Sequence, residues 1–466
     1  MSQDVALARP KLRPIQKWGM VIGILAFLLP FFFDIPGLEE PGERMLSIFL
    51  LAIVFWITEA IPLFATAVMV MLLEVLLISD QAILAVAEDA PSYSQFFGTL
   101  ANPVIILFLG GFMIADGAEK FGVDKNIAAI FMKPFKNSGR QMILGLMVIT
   151  AALSMFMSNT ATTAAMFAVV IPIMMAMPDH ASRTAVALSI PVAANIGGMG
   201  TPVGTPPNAI AVGALASRGV TVSFLDWMIL AVPLMLVILI GAWFWIARSI
   251  PKGTPVNFDL EAKWNTSRDA TIYYVVAGAT ILLWMTEPLH GISSNVVGFV
   301  PVVALLALRV MSGRDIHNID WPVLWLVAGG IALGLGVGAT GLDAWLLGSV
   351  DWASLPTIAV ISLLVLMGLA MSNVISHSAS ANLLVPLALS FSGVIGIDMA
   401  MIAVVLALST SLGMSMPIST PPNAIAYATG HVPLKSMAVT GLVVGIGGAI
   451  LLAFVMPPLW TALGLI

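Results

Sequence analysis

Two short polar stretches decide the fold: SNT at residues 158–160 and SNV at residues 372–374, each set inside a long apolar run. Ser and Asn are poor residues for a helix interior, so each stretch predicts a break in a helix. A second polar stretch follows each one, at residues 205–211 and 420–426. These two have the same sequence, TPPNAIA. We interpret the four stretches as broken helices that meet at membrane depth and form one binding site.

The composition predicts an all-α polytopic membrane protein. Of the 466 residues, 59% are hydrophobic and 9% are charged, whereas an average soluble domain is about 25% charged. Apolar runs near the roughly 20 residues that a membrane span needs recur along the whole chain, while an outer-membrane barrel would show short alternating segments. The chain has no cysteine, which excludes disulfides and thiolate metal sites. Its net charge of −5 gives no indication of nucleic-acid binding.

The second half of the chain repeats the plan of the first, as secondary transporters often do. The Gly-Gly pairs at 110–111 and 329–330 have the same spacing as Asp124 and Asp343. We predict eleven transmembrane helices and two re-entrant hairpins, with the N-terminus cytoplasmic and the C-terminus external. That arrangement places 17 of the 19 Lys and Arg on the cytoplasmic side, in agreement with the positive-inside rule. Each repeat then has an odd number of crossings, so the repeats are inverted.

The predicted domain organisation follows from these breaks. A cytoplasmic tail covers 1–17, a first repeat 18–248, a cytoplasmic connector 249–268 and a second repeat 269–466. Scaffold helices are expected at 18–140 and 270–347. The transport elements are expected to be hairpins at 141–177 and 356–391, broken helices at 183–217 and 397–431, and helices at 227–248 and 436–463.

Unwound backbone at membrane depth must be buried in protein or line a cavity, which brings the four breaks together. Free N–H groups at helix N-termini favour anions, and unwound carbonyls favour a small hard cation such as Na⁺. Lys and Arg are absent from the four polar stretches. A bound carboxylate would therefore depend on hydroxyls, amides, helix ends and co-bound cations. Such linkage gives symport, with a coupling free energy of roughly 1–3 kcal/mol.

Individual features have plainer interpretations as well. An isolated Ser-Asn-Thr or Thr-Pro-Pro-Asn is most often a cap or a turn, and duplication is what favours a functional role. Small residues such as the Gly-Gly pairs favour helix packing over ligand contact. Glu59 and Glu287 are expected at interfacial or packing positions. For His377, a hydrogen-bonded structural role is favoured over a proton relay, although ionisable residues inside a membrane are functional candidates.

The ordered motifs resemble the divalent anion/sodium symporter family, which transports di- and tricarboxylates and, in some branches, sulfate. The resemblance covers nearly the whole chain through WITEAIP at residues 56–62, both tips and both TPPN stretches. It implies an eleven-helix homodimer whose transport domain moves against a scaffold domain as an elevator. It also implies no organic cofactor, with Na⁺ as the co-transported ion.

The resemblance also implies site residues. Substrate carboxylates would contact Ser158, Asn159, Thr160, Ser372, Asn373, Val374, Thr205, Pro206, Thr420 and Pro421. One Na⁺ site would use Ser154, Ser158, Asn159 and Gly204, and its repeat-related partner would use Asn373, Ser419 and the backbone near Gly368. Val374 stands where the commonest motif has Thr, and Gly368 where a hydroxyl residue is usual. His377 corresponds to Thr163 of the first tip in this alignment and could bring proton dependence.

The expected function is Na⁺-coupled symport of C4-dicarboxylates such as succinate, malate or fumarate into the cell, across the inner or plasma membrane. Alternatives with the same fold are a carboxylate antiporter, a citrate or sulfate carrier, or an H⁺-coupled carrier. A membrane enzyme would need an acid–base pair, an activated nucleophile or a metal cluster at one depth, and the sequence shows none. A channel is disfavoured because duplicated broken helices are typical of alternating access.

Overall fold

A computed structural model describes residues 12–86, 89–135, 138–254, 262–348 and 355–466, with the backbone alone at 347, 391 and 394. Most of the predicted N-terminal tail and residues 255–261 of the predicted connector therefore lie outside the described residues. The described residues are helical and contain no β-strand. This agrees with the all-α prediction.

The helices of the first half are α1 Pro14–Leu28, α2 Glu40–Thr58, α3 Leu63–Ile78, α4 Tyr93–Gly98, α5 Pro103–Lys120, α6 Val123–Phe131, α7 Gly139–Ser154, α8 Asn159–Met175, α9 His180–Gly198, α10 Pro206–Ala216 and α11 Phe224–Ala247. Those of the second half are α12 Arg268–Met285, α13 Glu287–His290, α14 Ser294–Val297, α15 Phe299–Ala307, α16 Gly313–Asn318, α17 Trp321–Ala339, α18 Leu342–Gly348, α19 Thr357–Val374, α20 His377–Ile395, α21 Met399–Ser411, α22 Pro421–Ala428, α23 Leu434–Phe454 and α24 Met456–Ala462.

Seven stretches of the described chain are long and apolar enough to cross a membrane. They are Pro14–Phe32, Glu40–Thr58, Tyr93–Lys120, Phe224–Ala247, Trp321–Ala339, Thr357–Val374 and Leu434–Ala462. Other apolar helices are shorter, and several of the predicted crossings would combine two of them across a break. The count of eleven crossings stays a prediction.

The predicted first hairpin region contains two helices joined by a short connection. α7 has 16 residues and α8 has 17, which makes each about 24–26 Å long at 1.5 Å per residue. The hydrocarbon core of a bilayer is about 30 Å thick. These lengths favour segments that enter the membrane and turn back before crossing it.

The long segments of the two broken helices lie within the hydrophobic core of the molecule. The second half of α9 and nearly all of α21 are buried on every side, whereas α1 leaves apolar side chains such as Trp18 exposed. A helix that is apolar all round belongs in a protein core. The short segments after the breaks cross over: α10 packs on α20 and α21, and α22 packs on α8 and α9. Each half of the chain therefore completes the site of the other.

The Gly-Gly pairs are packing positions, as the sequence favoured. A Cβ on Gly110 would strike the backbone carbonyl of Gly298, and one on Gly329 would strike Ala67. These glycines allow α5 to approach α14 and α17 to approach α3, the close contact that small residues give membrane helices.

Candidate functional site

A cavity of about 170 Å³ lies where the two hairpin tips meet the two helix breaks. Its polar walls are residues 158–160 and 376–378 from the tips and residues 204–206 and 419–421 from the breaks. Phe108, Phe112 and Val203 supply apolar wall. A larger cavity of about 800 Å³ lies near Gly37 and Trp345, away from all four interrupted helices. This larger cavity is lined by none of the residues of the two tips or the two breaks, so it lacks the polar groups described below.

Each hairpin tip presents a capped helix N-terminus to the cavity. Ser158 caps α8 by accepting a hydrogen bond from the Ala161 backbone N–H at 3.1 Å. Ser376 caps α20 in the same way through Ala379 at 3.2 Å. The first helical turns beyond these caps leave backbone N–H groups without partners inside the helix. Such ends carry partial positive charge and attract anions.

The two breaks add two more helix N-termini. Thr205 and Thr420 stand at the N-cap positions of α10 and α22, each followed by two prolines in the first helical turn. Proline suits that position because its missing N–H would be unpaired there in any case. The Thr420 hydroxyl accepts from the Asn423 backbone N–H at 3.3 Å, whereas the Thr205 side chain makes no cap hydrogen bond. Four helix N-termini, two from each half of the chain, therefore converge on one cavity. The described residues that line this cavity include no Lys or Arg.

The second tip differs from the sequence-based prediction. The stretch 372–374 forms the last turn of α19, and the cavity wall is formed instead by Ser376, His377 and Ser378. Side chains in a helix lean toward its N-terminus, so the last turn of α19 is directed away from the tip that follows it. The structure does not bring the three predicted residues to the cavity.

Each of those three side chains has another environment. Ser372 is buried and its hydroxyl donates to the Leu369 carbonyl at 3.2 Å. The Asn373 amide nitrogen donates to the same carbonyl at 2.8 Å. Val374 is 67% exposed. His377 begins α20 as Asn159 begins α8, so it corresponds to Asn159 and not to Thr163.

Two asparagines hold the unwound backbone of the breaks in matching ways. The Asn208 amide nitrogen donates to the carbonyls of Gly198 at 2.9 Å and Thr201 at 2.7 Å. The Asn423 amide nitrogen donates to the carbonyls of Met414 at 2.7 Å and Met416 at 3.1 Å. Buried carbonyls that a helix break releases need such donors. Each asparagine therefore fixes the loop from which its part of the cavity wall is made.

Asn195 connects the two halves and was not singled out in the sequence. Its side chain is fully buried and donates to Thr420 Oγ1 at 3.3 Å and to Asn423 Oδ1 at 3.2 Å. It also lines the cavity. An amide inside the buried second half of α9 was the available signal, because such a group needs a partner at membrane depth.

The end of the Asn159 amide lies in a cluster of oxygens. Its outer atom is 2.7 Å from Ser154 Oγ and 3.2 Å from the carbonyl oxygens of both Ala194 and Gly204. With the NH₂ group in that place, the amide donates to all three. With the carbonyl oxygen there, it accepts from the Ser154 hydroxyl and faces the carbonyl oxygens of Ala194 and Gly204, an arrangement of oxygens that a cation can bridge. Neutral oxygen ligands are the donors that Na⁺ takes at unwound helices.

Three of the four predicted residues of the first cation site thus come together: Ser154, Asn159 and Gly204. Ser158 is adjacent, but its hydroxyl is engaged as the cap of α8. The carbonyl of Ala194 joins the cluster and could not be identified from the sequence, because a backbone oxygen is common to every residue type.

The predicted second cation set is arranged differently. Asn373 Oδ1 accepts hydrogen bonds from both the backbone N–H and the hydroxyl of Ser415. Ser419 Oγ donates to the Asn373 carbonyl oxygen at 3.3 Å and lines the cavity. Gly368 lies earlier on α19, where a Cβ would strike Ser409.

Ionisable groups at the cavity are few. Asp320 caps α17 and His377 begins α20, and both line the cavity. Partial loss of solvent raises the pKa of Asp320, and the Val323 backbone N–H opposes that shift. Within the described parts of the chain, no group of three or more His, Cys, Asp and Glu could hold a metal ion.

Comparison with known proteins gives a consistent result. The family model described as the sodium:sulfate symporter transmembrane region matches residues 15–466. The chain is 29% identical to the sodium-dependent dicarboxylate transporter SdcS of Staphylococcus saprophyticus, over 95% of this chain and 92% of that protein. It is 28% identical to the protein of the same name from Staphylococcus aureus strain USA300, over 94% of this chain and 90% of that protein.

The fold is also similar to that of a solved transporter. The crystal structure of the Alcanivorax borkumensis YdaH transporter matches with a TM-score of 0.57 at 15% sequence identity. The match covers 86% of this chain and 98% of that chain. At this identity the likeness concerns the fold alone.

Proposed function

The chain belongs to the sodium:sulfate symporter family and is a multi-pass membrane transporter, and from this premise we propose that it imports C4-dicarboxylates together with Na⁺. The two named relatives are sodium-dependent dicarboxylate transporters, and the sequence match covers nearly the whole length of each. The single observation that carries the proposal is the convergence of four helix N-termini on one cavity that has no Lys or Arg in its described wall.

The chemistry of this cavity suits a small dianion. The two tip helices can offer backbone N–H groups to a carboxylate. The two break helices begin with prolines, which have no N–H, so they contribute the partial positive charge of their N-terminal ends. Ser158, Thr160, Ser376, Ser378 and Thr420 add hydroxyls around the same space. At about 170 Å³ the cavity is smaller than the roughly 300–1,000 Å³ of drug-sized ligand pockets. A four-carbon diacid with a carboxylate at each tip fits this description.

Coupling to Na⁺ is supported by residues that the two sites share. Asn159 and Gly204 belong to the oxygen cluster and also line the cavity. A cation in the cluster neutralises part of the charge that the substrate brings, and it holds the α8 tip against the first break. Substrate affinity then depends on cation occupancy, with a coupling free energy of about 1–3 kcal/mol.

The transport cycle forms part of the same proposal. The hairpins, broken helices and α11 and α23 would move together as the transport domain, while the remaining helices form the scaffold of a homodimer. A cytoplasmic N-terminus and inverted repeats complete the arrangement. The support is the crossed packing of α10 and α22, which ties the elements of both tips into one unit.

Uptake of radiolabelled succinate into proteoliposomes tests the function. An inward Na⁺ gradient should accelerate uptake relative to choline at a matched membrane potential. Malate and fumarate should compete with succinate, and sulfate and citrate should compete poorly. Equal uptake rates with Na⁺ and choline would rule out Na⁺ coupling, and stronger competition by sulfate would assign the carrier to a different anion.

A further inference from the structure

The two halves of the chain place different residues at one equivalent position. Asn159 is the first residue of α8 and His377 is the first residue of α20, each directly after the serine that caps the helix. Both line the cavity. Asn159 and His377 have the same separation along the chain as the two capping serines. The tips can therefore be compared residue by residue.

In the first half, Asn159 reaches an oxygen cluster. Its amide lies against Gly198, where a Cβ would strike it, and beside the oxygens of Ser154, Ala194 and Gly204. The Ser154 hydroxyl bridges from the first hairpin to the Ala194 carbonyl at 2.9 Å. The cluster thus joins the tip to both sides of the first break, and its centre can accept a cation.

In the second half, an N–H donor takes the equivalent place. His377 Nε2 is 2.7 Å from the carbonyl oxygen of Gly413. A carbonyl oxygen only accepts, so Nε2 carries a proton and donates it. Gly413 corresponds to Gly198, because the two glycines have the same spacing as the two TPPNAIA stretches. The tip is joined to the second break directly, through a buried side chain.

The neighbouring polar groups of the second half are also engaged in hydrogen bonds within the protein. Ser372, the counterpart of Ser154, donates back to its own helix at Leu369. Asn373 Oδ1 accepts from the backbone N–H of Ser415 at 3.0 Å. The Asn373 amide oxygen has two donors, the N–H and the hydroxyl of Ser415. The outer atom of the Asn159 amide is surrounded by three oxygens, of which only Ser154 Oγ carries a proton, so this amide can turn its own oxygen toward a cation.

We propose that the first half alone binds Na⁺ and that the His377–Gly413 hydrogen bond replaces a second cation as the link between tip and break. The inference rests on the proposed Na⁺-coupled function and specifies where the cation binds. A donated N–H carries partial positive charge, so it bridges to the carbonyl as a cation would. The bond is part of the protein and does not vary with the Na⁺ concentration.

A ligand-shift stability assay on the full-length protein in detergent tests the inference, because a ligand that binds only the folded state raises its melting temperature. NaCl is titrated against choline chloride at constant ionic strength. The Asn159→Ala variant should lose the Na⁺-dependent shift entirely. The His377→Ala variant should melt at a lower temperature in choline but keep the full Na⁺-dependent shift. A Na⁺ shift that persists in Asn159→Ala and disappears in His377→Ala would overturn the inference.

A second variant approaches the same question by gain of function. His377→Asn gives the second tip the same residue type that the first tip has at Asn159. The zero-flux reversal potential in proteoliposomes should then show one more Na⁺ per substrate than in the wild type. An unchanged ratio in an active variant would overturn the inference. A wild-type uptake rate that does not depend on Na⁺ would instead refute the proposed function. The failure of the inference and the failure of the proposed function therefore give different results.

Discussion

Replacement of Asn423 by alanine should weaken substrate binding through the geometry of the second break. Asn423 is buried and its amide nitrogen donates to Met414 and Met416 within the unwound segment. Its oxygen accepts from Asn195, which reaches across from the first half. The break carries Ser419 and Thr420 into the cavity wall. Loss of the amide therefore alters the cavity wall indirectly, by releasing the unwound segment that positions Ser419 and Thr420.

The magnitude follows from the partners that the change leaves behind. The Met416 carbonyl keeps the Ser419 backbone N–H at 3.2 Å, so the Met414 carbonyl is the acceptor that loses its described donor. An unsatisfied buried group costs about 1–3 kcal/mol, and the remaining lost bonds add about 1 kcal/mol. Asn195 keeps its bond to Thr420. The total is about 2–4 kcal/mol of folded-state stability, and the same free energy expressed in substrate binding corresponds to about a 30–700-fold loss of affinity.

Succinate affinity is measured from the ligand-dependent melting shift in saturating Na⁺, with uptake kinetics as a second readout. Tyr427→Phe serves as the matched control, because this residue lies on the same short helix and is 45% exposed. The Asn195→Ala/Asn423→Ala double variant should show less than the sum of the two single effects, since the two side chains share a hydrogen bond. Wild-type affinity and melting temperature in Asn423→Ala would refute the reasoning.

Three further changes probe other parts of the site and the packing. Ser378→Ala should raise KM for succinate several-fold, whereas Val374→Ala, which alters an exposed side chain, should leave KM unchanged. The opposite pattern would mean that residues 372–374, and not 376–378, contact the substrate. Gly110→Leu should lower the melting temperature sharply because its side chain meets the Gly298 backbone, while Gly241→Ala has open space and should be neutral or gain up to about 1 kcal/mol. Asp320→Asn should bind the dianion more tightly because it removes a carboxylate that lines the cavity, and an unchanged affinity for fully ionised succinate in this variant would contradict this role.

The helix breaks could be predicted from sequence because the physics is local. Polar and Pro-containing stretches inside apolar runs cannot continue a membrane helix without satisfying their backbone groups. The structure has helix ends at Ser154, Gly198 and Ser411, close to the places that these stretches indicate. The TPPNAIA repeat was the strongest guide, because its prolines begin a helix and its asparagine holds the unwound backbone in both halves.

The register of the second tip could not be obtained in this way. Two serine-containing stretches, at 372–374 and 376–378, lie close together, and either could follow the end of a helix. The choice depends on which serine accepts the backbone N–H that begins α20, a feature of three-dimensional geometry. The spacing of the Gly-Gly pairs favoured the second stretch, since it places the counterpart of Ser158 next to Ser376. The sequence-based prediction chose residues 372–374 instead, because Ser372-Asn373 has the same residue types as Ser158-Asn159.

Backbone and long-range contacts account for the rest of what the sequence did not predict. The Ala194 carbonyl belongs to the oxygen cluster by position alone. The link from Asn195 to Thr420 joins residues from opposite halves of the chain. Neither contact has a local sequence pattern, so each required the packed fold.

The most direct test of the central claim is a density map of the protein in lipid nanodiscs with Na⁺ and succinate. The account predicts substrate density between residues 158–160 and 376–378, in contact with the helix N-termini of both halves, and cation density beside Asn159. Substrate density in the larger cavity near Gly37 and Trp345, with the space between the two tips filled by protein, would contradict it.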